Sequence, residues 1–229
     1  ARAPSSSSRT SEVREMELVN SKVVEVQVDQ MSRWVARRGA MLGYSGQVFF
    51  RPLAGTAGPR GGMAGVMTGM LSGESNQMMA AEGQGTVMYG YQGLHVDVVQ
   101  LTPQAPLTIE ADRLLAYDHS IQLSLMQIGS GGLRGLAQGA MTGQGLMTSQ
   151  LSGQGAVAIL SHGGAIRMPV NGEVFIDPQA YVAHQGNVQV ELTGKVGLRD
   201  AVGRGSGEAF KLRLTGQGDA YVQPSEQKF

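Results

Sequence analysis

The chain has 229 residues and no cysteine. Its 34 glycines make up about twice the ~7% share of an average protein. Its 18 Lys and Arg residues balance 18 Asp and Glu residues, which excludes the dense basic face of a phosphate-tracking nucleic-acid binder; the missing thiols exclude disulfides, cysteine nucleophiles and sulfur-ligated zinc or iron.

With 41% hydrophobic residues and zero net charge, the chain lacks the signature of disorder. No apolar run is long enough for a membrane-spanning helix. Residues 1–10 carry two arginines, five hydroxyl side chains and no acid, the composition left near the cleavage point of organellar transit peptides. Residues 1–21 are expected to form a disordered or extended tail, with one β domain over 22–226. The expected location is an organelle, mitochondrion or chloroplast, after transit-peptide removal; the bacterial cytoplasm is the alternative.

Three 25-residue blocks then align without gaps, Val26–Phe50, Val99–Leu123 and Ile166–Val190, at offsets of 73 and 67. Each opens on β-type alternation (Val26-x-Val28, Val99-x-Leu101, Ile166-x-Met168), turns, and extends again at Trp34-x-Ala36, Leu107-x-Ile109 or Val174-x-Ile176. A small residue recurs at Gly43, Ala116 and Ala183, which points to close backbone approach at equivalent buried bends. A second element alternates with the first and carries Gly83-x-Gly85, Gly153-x-Gly155 and Gly216-x-Gly218, expected at equivalent turns or bulges. Short apolar runs bounded by Gly, Pro and Asn read as strands. The expected fold is therefore all-β with three pseudo-symmetric units, about 24–90, 97–160 and 164–223.

Glycine-rich connectors join the two kinds of element. The first and longest places Met63, Met67, Met70 and Leu71 at i, i+4, i+7 and i+8. That spacing permits a short apolar helix stripe, although each interleaved glycine costs about 1 kcal/mol relative to alanine. The stripe reads either as a flap over the core or as a partner-binding patch.

The chemistry-bearing motifs are few. The glycine pairs precede strand-like sequence, not a helix, and no Gly-Lys-Ser/Thr follows, so neither a dinucleotide fingerprint nor a P-loop is present. His95, His119, His162 and His184 stand alone without ligand spacing. No Gly-x-Ser-x-Gly elbow occurs, and Glu110 with Asp112 is the only close carboxylate pair among the candidates. Glu74 and Glu208 recur at equivalent positions, with Gln144 between them, which favours a structural role. The expectation is no enzyme, no metal and no cofactor. Arg33, Arg37 and Arg38 around Trp34 could clamp a single-stranded base, or could mark a solvated turn beside a core tryptophan.

The Ser-Gly-Glu…Gly-x-Gly element, the block from Val174 to His184, and Gly216-Gln-Gly218 followed by Tyr221-Val-Gln-Pro-Ser-Glu226 resemble the mitochondrial-biogenesis family named for altered inheritance of mitochondria. The resemblance covers about residues 22–226. It implies a TRAP-like fold, a β-sandwich of double-stranded β-helix type with three structural repeats, in bacteria and organelles alike and without established enzymatic activity. The RNA-binding residues of the fold's namesake, the tryptophan RNA-binding attenuation protein, do not transfer. The function expected is that of a non-catalytic structural or assembly protein. It would dock on a larger organellar or membrane-associated complex through protein partners or further copies of itself, with peripheral membrane association compatible, no DNA, and RNA not expected. The alternative is a regulatory module that binds a small ligand or RNA between its β repeats.

Overall fold

The computed structural model describes residues 16–53, 78–128, 146–193 and 211–226. Met63, Met67, Met70 and Leu71, with their connector, lie outside the described residues. The described residues are almost wholly β. The strands are β1 (Met16–Asn20), β2 (Val23–Val28), β3 (Trp34–Arg37), β4 (Met41–Pro52), β5 (Met78–Tyr89), β6 (His95–Leu101) and β7 (Leu107–Glu110). After a 3₁₀ turn at Ala111–Arg113 come β8 (Leu114–Asp118), β9 (Gln122–Ile128), β10 (Leu146–Ser152), β11 (Gly155–Ser161), β12 (Ile166–Ile176), β13 (Tyr181–Thr193) and β14 (Lys211–Val222). The segment expected to be a tail contributes β1, whose Met16 pairs with Val26 of β2.

Two antiparallel sheets form. One runs β1-β2-β5-β3-β8-β11-β6, with β4 on the other side of β5; the second runs β12-β14-β13-β7-β10-β9. In β2, Val24, Val26 and Val28 point into the core while Glu25 and Gln27 alternate outward, the half-buried pattern of period two. Strands β8 and β11 are buried almost throughout, as strands covered on both faces must be. Three apolar clusters fill the interior, around Trp34 and Leu115, around Ile109 and Ile159, and around Tyr181 and Leu214.

The register repeats from unit to unit. Trp34 pairs with Ala81, Leu107 with Leu151 and Val174 with Leu214. A β-bulge stands just before each recurring small residue. Leu42, Leu115 and Val182 are the extra residues, after which Gly43 pairs with Met88, Ala116 with Ala158 and Ala183 with Tyr221. A bulge turns the strand more sharply than a regular ladder can. Ala116 and Ala183 are buried and Gly43 is half-buried.

Successive units also join by one rule. Strand β3 of unit one lies against β8 of unit two, with Ala36 opposite Ala116, Val35 opposite Tyr117 and Trp34 opposite Asp118. Strand β7 of unit two lies against β13 of unit three, with Ile109 opposite Ala183, Thr108 opposite His184 and Leu107 opposite Gln185. Each junction ends on the same backbone bond, His119 N–H to Arg33 O in the first and Gly186 N–H to Pro106 O in the second, both 3.0 Å.

The glycine pairs are not all at turns. Gly83 and Gly85 lie inside β5, and Gly216 and Gly218 inside β14; only Gly153 and Gly155 flank a break, between β10 and β11. The reason is close strand crossing. A Cβ on Gly83 would strike the Gln47 carbonyl oxygen, and one on Gly216 that of Asn187. Without side chains the paired strands pass this corner with their ladder intact. In the middle unit the corner opens instead: β8 and β11 stay in the first sheet while β9 and β10 enter the second. Asp118 turns the chain there, its Oδ1 accepting from Ser120 N–H at 2.8 Å.

Candidate functional site

Of the arginine and tryptophan cluster, Trp34 and Arg37 are consumed by the fold. Trp34 is fully buried, and its Nε1–H donates to the Gln27 carbonyl at 2.8 Å. The indole therefore has no face on which a base could stack, and the clamp reading is corrected on that ground. Arg37 is buried beneath the first junction. Its Nε donates to Leu114 O at 3.1 Å and an Nη to Ala111 O at 3.2 Å, while its guanidinium lies 5.0 Å from the Tyr91 ring centre. Arg33 pairs with Glu82 at 3.7 Å, which Arg51 also approaches. Arg38 is exposed on the turn into β4.

A second polar group sits at the junction of units two and three. Tyr181 and His184 are buried, with the hydroxyl 2.7 Å from the imidazole Nδ1 and 3.4 Å from Thr108 O. Burial alone pushes His184 down to about 4. Burial, and secondarily the Glu110 charge, holds Tyr181 well above its ordinary value. The phenol carries one hydrogen, which can go to Thr108 O or to Nδ1, and the imidazole tautomer sets which way the 2.7 Å contact runs. Nearby, Arg113 is wholly buried and meets Glu110 at 3.3 Å; burial lowers its basicity and Glu110 opposes that effect. Tyr181→Phe is expected to cost about 1–2 kcal/mol, because it leaves the buried Nδ1 without its phenol partner. A urea midpoint that falls at unchanged slope would register this. Among the described residues no group of three or more His, Asp or Glu side chains is placed to hold a metal.

Among the described residues the large exposed apolar side chains include Leu18 and Val19 on β1 and Met31, 79% exposed, in the turn before β3. Met41, Leu42, Tyr44 and Phe49 stand along β4, Met88 beside them on β5, and Ile166 and Phe175 on β12. Tyr44 packs edge-on to Phe50 with ring centres 5.4 Å apart. Leu42 and Tyr91 help line a shallow groove of about 420 Å³ against the β1–β2 turn at Lys22 and Val23. Sequence reasoning missed these residues. At Phe49 a signal was present, since the aligned positions of the other units hold Gln122 and Gln189.

The geometry can be set beside known proteins. Over residues 16–225 the chain matches the family described as mitochondrial biogenesis AIM24. No curated protein matches it significantly. Its fold is similar to the crystal structure of protein SPYM3_0169 from Streptococcus pyogenes, with a TM-score of 0.67, 93% of each chain covered and 18% sequence identity. Identity that low speaks to the fold alone. The family match spans nearly the whole chain, and the chain belongs to the AIM24 mitochondrial-biogenesis family.

Proposed function

We propose that this chain is a non-catalytic assembly protein that docks through its exposed β surface into a larger complex. The observation that carries the reading is the set of exposed apolar side chains on β4, above all Phe49, 63% exposed. An edge strand of this length is ordinarily blunted by lysine, proline or inward charge. Strand β4 has no lysine, and its proline comes only at its last residue, Pro52. Large apolar side chains left exposed on a strand paired on one side suit a partner surface better than solvent. The buried polar groups support the non-catalytic half of the reading: Arg37 is spent on two carbonyls, and Tyr181 and His184 on each other. Family membership supports action in an organelle. The test is the native size of the protein in extracts of its own cell. Wild type should migrate in a complex well above 24.1 kDa. Phe49→Gln, which installs the residue the aligned units carry, should weaken that complex without lowering the melting temperature. Wild type running as a monomer in fresh extract would refute the assembly reading.

A further inference from the structure

The two junctions between units follow one rule, and among the described residues that rule leaves one strand edge of unit one and one of unit three without a counterpart. Strand β3 has β5 on one side and β8 on the other, and β7 has β10 and β13. The junction residues Arg33–Ala36 correspond in unit three to Glu173–Ile176 of β12, which pair with β14 on one side; among the described residues nothing pairs with their other side. Likewise β8 and β13 each receive the preceding unit, whereas the equivalent part of unit one, Met41–Gly46 of β4, pairs only with β5 among the described residues.

The side chains record the same asymmetry. Leu115 and Val182 are fully buried, but Leu42 at the equivalent position is 58% exposed. Tyr117 and His184 are buried, but Tyr44 is 52% exposed. On the other edge Val35 and Thr108 are buried, but Phe175 is 54% exposed. So three large apolar side chains stand in solvent at the positions where, inside the chain, the neighbouring unit covers the residue.

We infer that the partner of these edges is a second copy of this chain, joined head to tail, with β12 of one copy continuing onto β4 of the next. The inference rests on the assembly reading above and names its partner. The internal register dictates the contact. Ile176 falls opposite Gly43, Phe175 opposite Tyr44 and Val174 opposite Ser45, and the Gly46 N–H donates to the Glu173 carbonyl. Gly46, at φ +87°, repeats the backbone of Gly186 at φ +96°, whose N–H closes the second junction. Phe175 and Tyr44 become a cross-strand aromatic pair, a stabilising combination on a sheet face. Such a contact uses two different surfaces, so it is heterologous and propagates into a ring or a filament; it does not stop at a symmetric dimer.

The purified wild-type chain should therefore associate at micromolar concentration in sedimentation velocity. Leu42→Lys and Phe175→Lys change exposed residues and should leave the melting temperature unaltered. Each alone should weaken association by about a hundredfold or more, since each buries an unpaired charge. Mixed, the two variants should recover a stable 1:1 dimer, because each supplies the edge the other lacks, and that dimer should grow no further. The chain has no cysteine of its own, so a second readout is available. Ser45 and Val174 fall at a non-hydrogen-bonded pair, where Cα atoms stand about 4.5 Å apart, and Ser45→Cys mixed with Val174→Cys should give a covalent heterodimer on oxidation. A wild-type chain that stays monomeric, a Phe175→Lys chain that associates normally by itself, or a variant mixture that does not pair would each overturn the inference. A purified monomer beside a large native complex would overturn self-pairing while leaving the assembly reading in place.

Discussion

Gly83→Ala is expected to destabilise the fold by about 4 kcal/mol, and Gly153→Ala by about half as much. The two glycines are equivalent in sequence and nearly equivalent in backbone, at φ +121° and +127°. Both substitutions therefore pay the strain of an L side chain in the left-handed region, about 1–3 kcal/mol. They differ in what surrounds them. At Gly83 the added methyl meets the Gln47 carbonyl, which the β4–β5 ladder holds in place; at Gly153 the nearest atoms, in Ile121 and Ser120, stand at an ordinary 3.6 Å. Displacing a packed backbone adds about 1–3 kcal/mol. Against a typical total of about 5–15 kcal/mol, the first change should move the urea midpoint severely and the second moderately. Equal losses would show that conformational strain dominates and that the crossing contributes little.

Why one glycine pair lies in a break and the other two inside strands was not legible in the sequence. The blocks Val26–Phe50, Val99–Leu123 and Ile166–Val190 were legible, because period-two apolar alternation survives in all three. The recurrence of Gly43, Ala116 and Ala183 at equivalent positions, each just after a bulge, was legible too, but the close backbone approach expected there is not what Gly43 meets: an added Cβ would touch only the Met88 side chain, at 3.7 Å. The splitting of the middle unit between two sheets has no local signal, because it follows from having a neighbour on each side. The same holds for the surface. Leu42 and Leu115 are the same residue before the same kind of small residue, and only the strand laid beside Leu115 separates buried from exposed. The Tyr181–His184 contact was hidden for a geometric reason. Residues i and i+3 lie on opposite faces of a regular strand, and the extra residue at the Val182 bulge brings them to one face.

That contact also predicts how the fold answers acid. His184 is held down to about 4 by burial, from an ordinary 6.5. Between those two values the unfolded chain binds a proton at this site and the folded chain does not. Stability thus rises with pH across the interval and falls as pH drops from 6.5 toward 4. A shift of that size corresponds to about 3 kcal/mol, fully present above pH 6.5 and lost once the folded imidazole is itself protonated. His184→Asn keeps an acceptor near the Nδ1 position but cannot titrate. Its stability, measured by urea unfolding at a series of pH values, should decline less steeply than that of wild type between pH 6.5 and 4, and run parallel above pH 7. His162, which burial and then the Arg113 charge also push down, is present in both proteins and cancels from the comparison, as do the carboxylates. Parallel curves through the whole range would mean that the imidazole accepts its proton inside the folded junction without cost. In that case the 2.7 Å contact with Tyr181 would have to be read with the ring as the donor and the phenol oxygen as the acceptor.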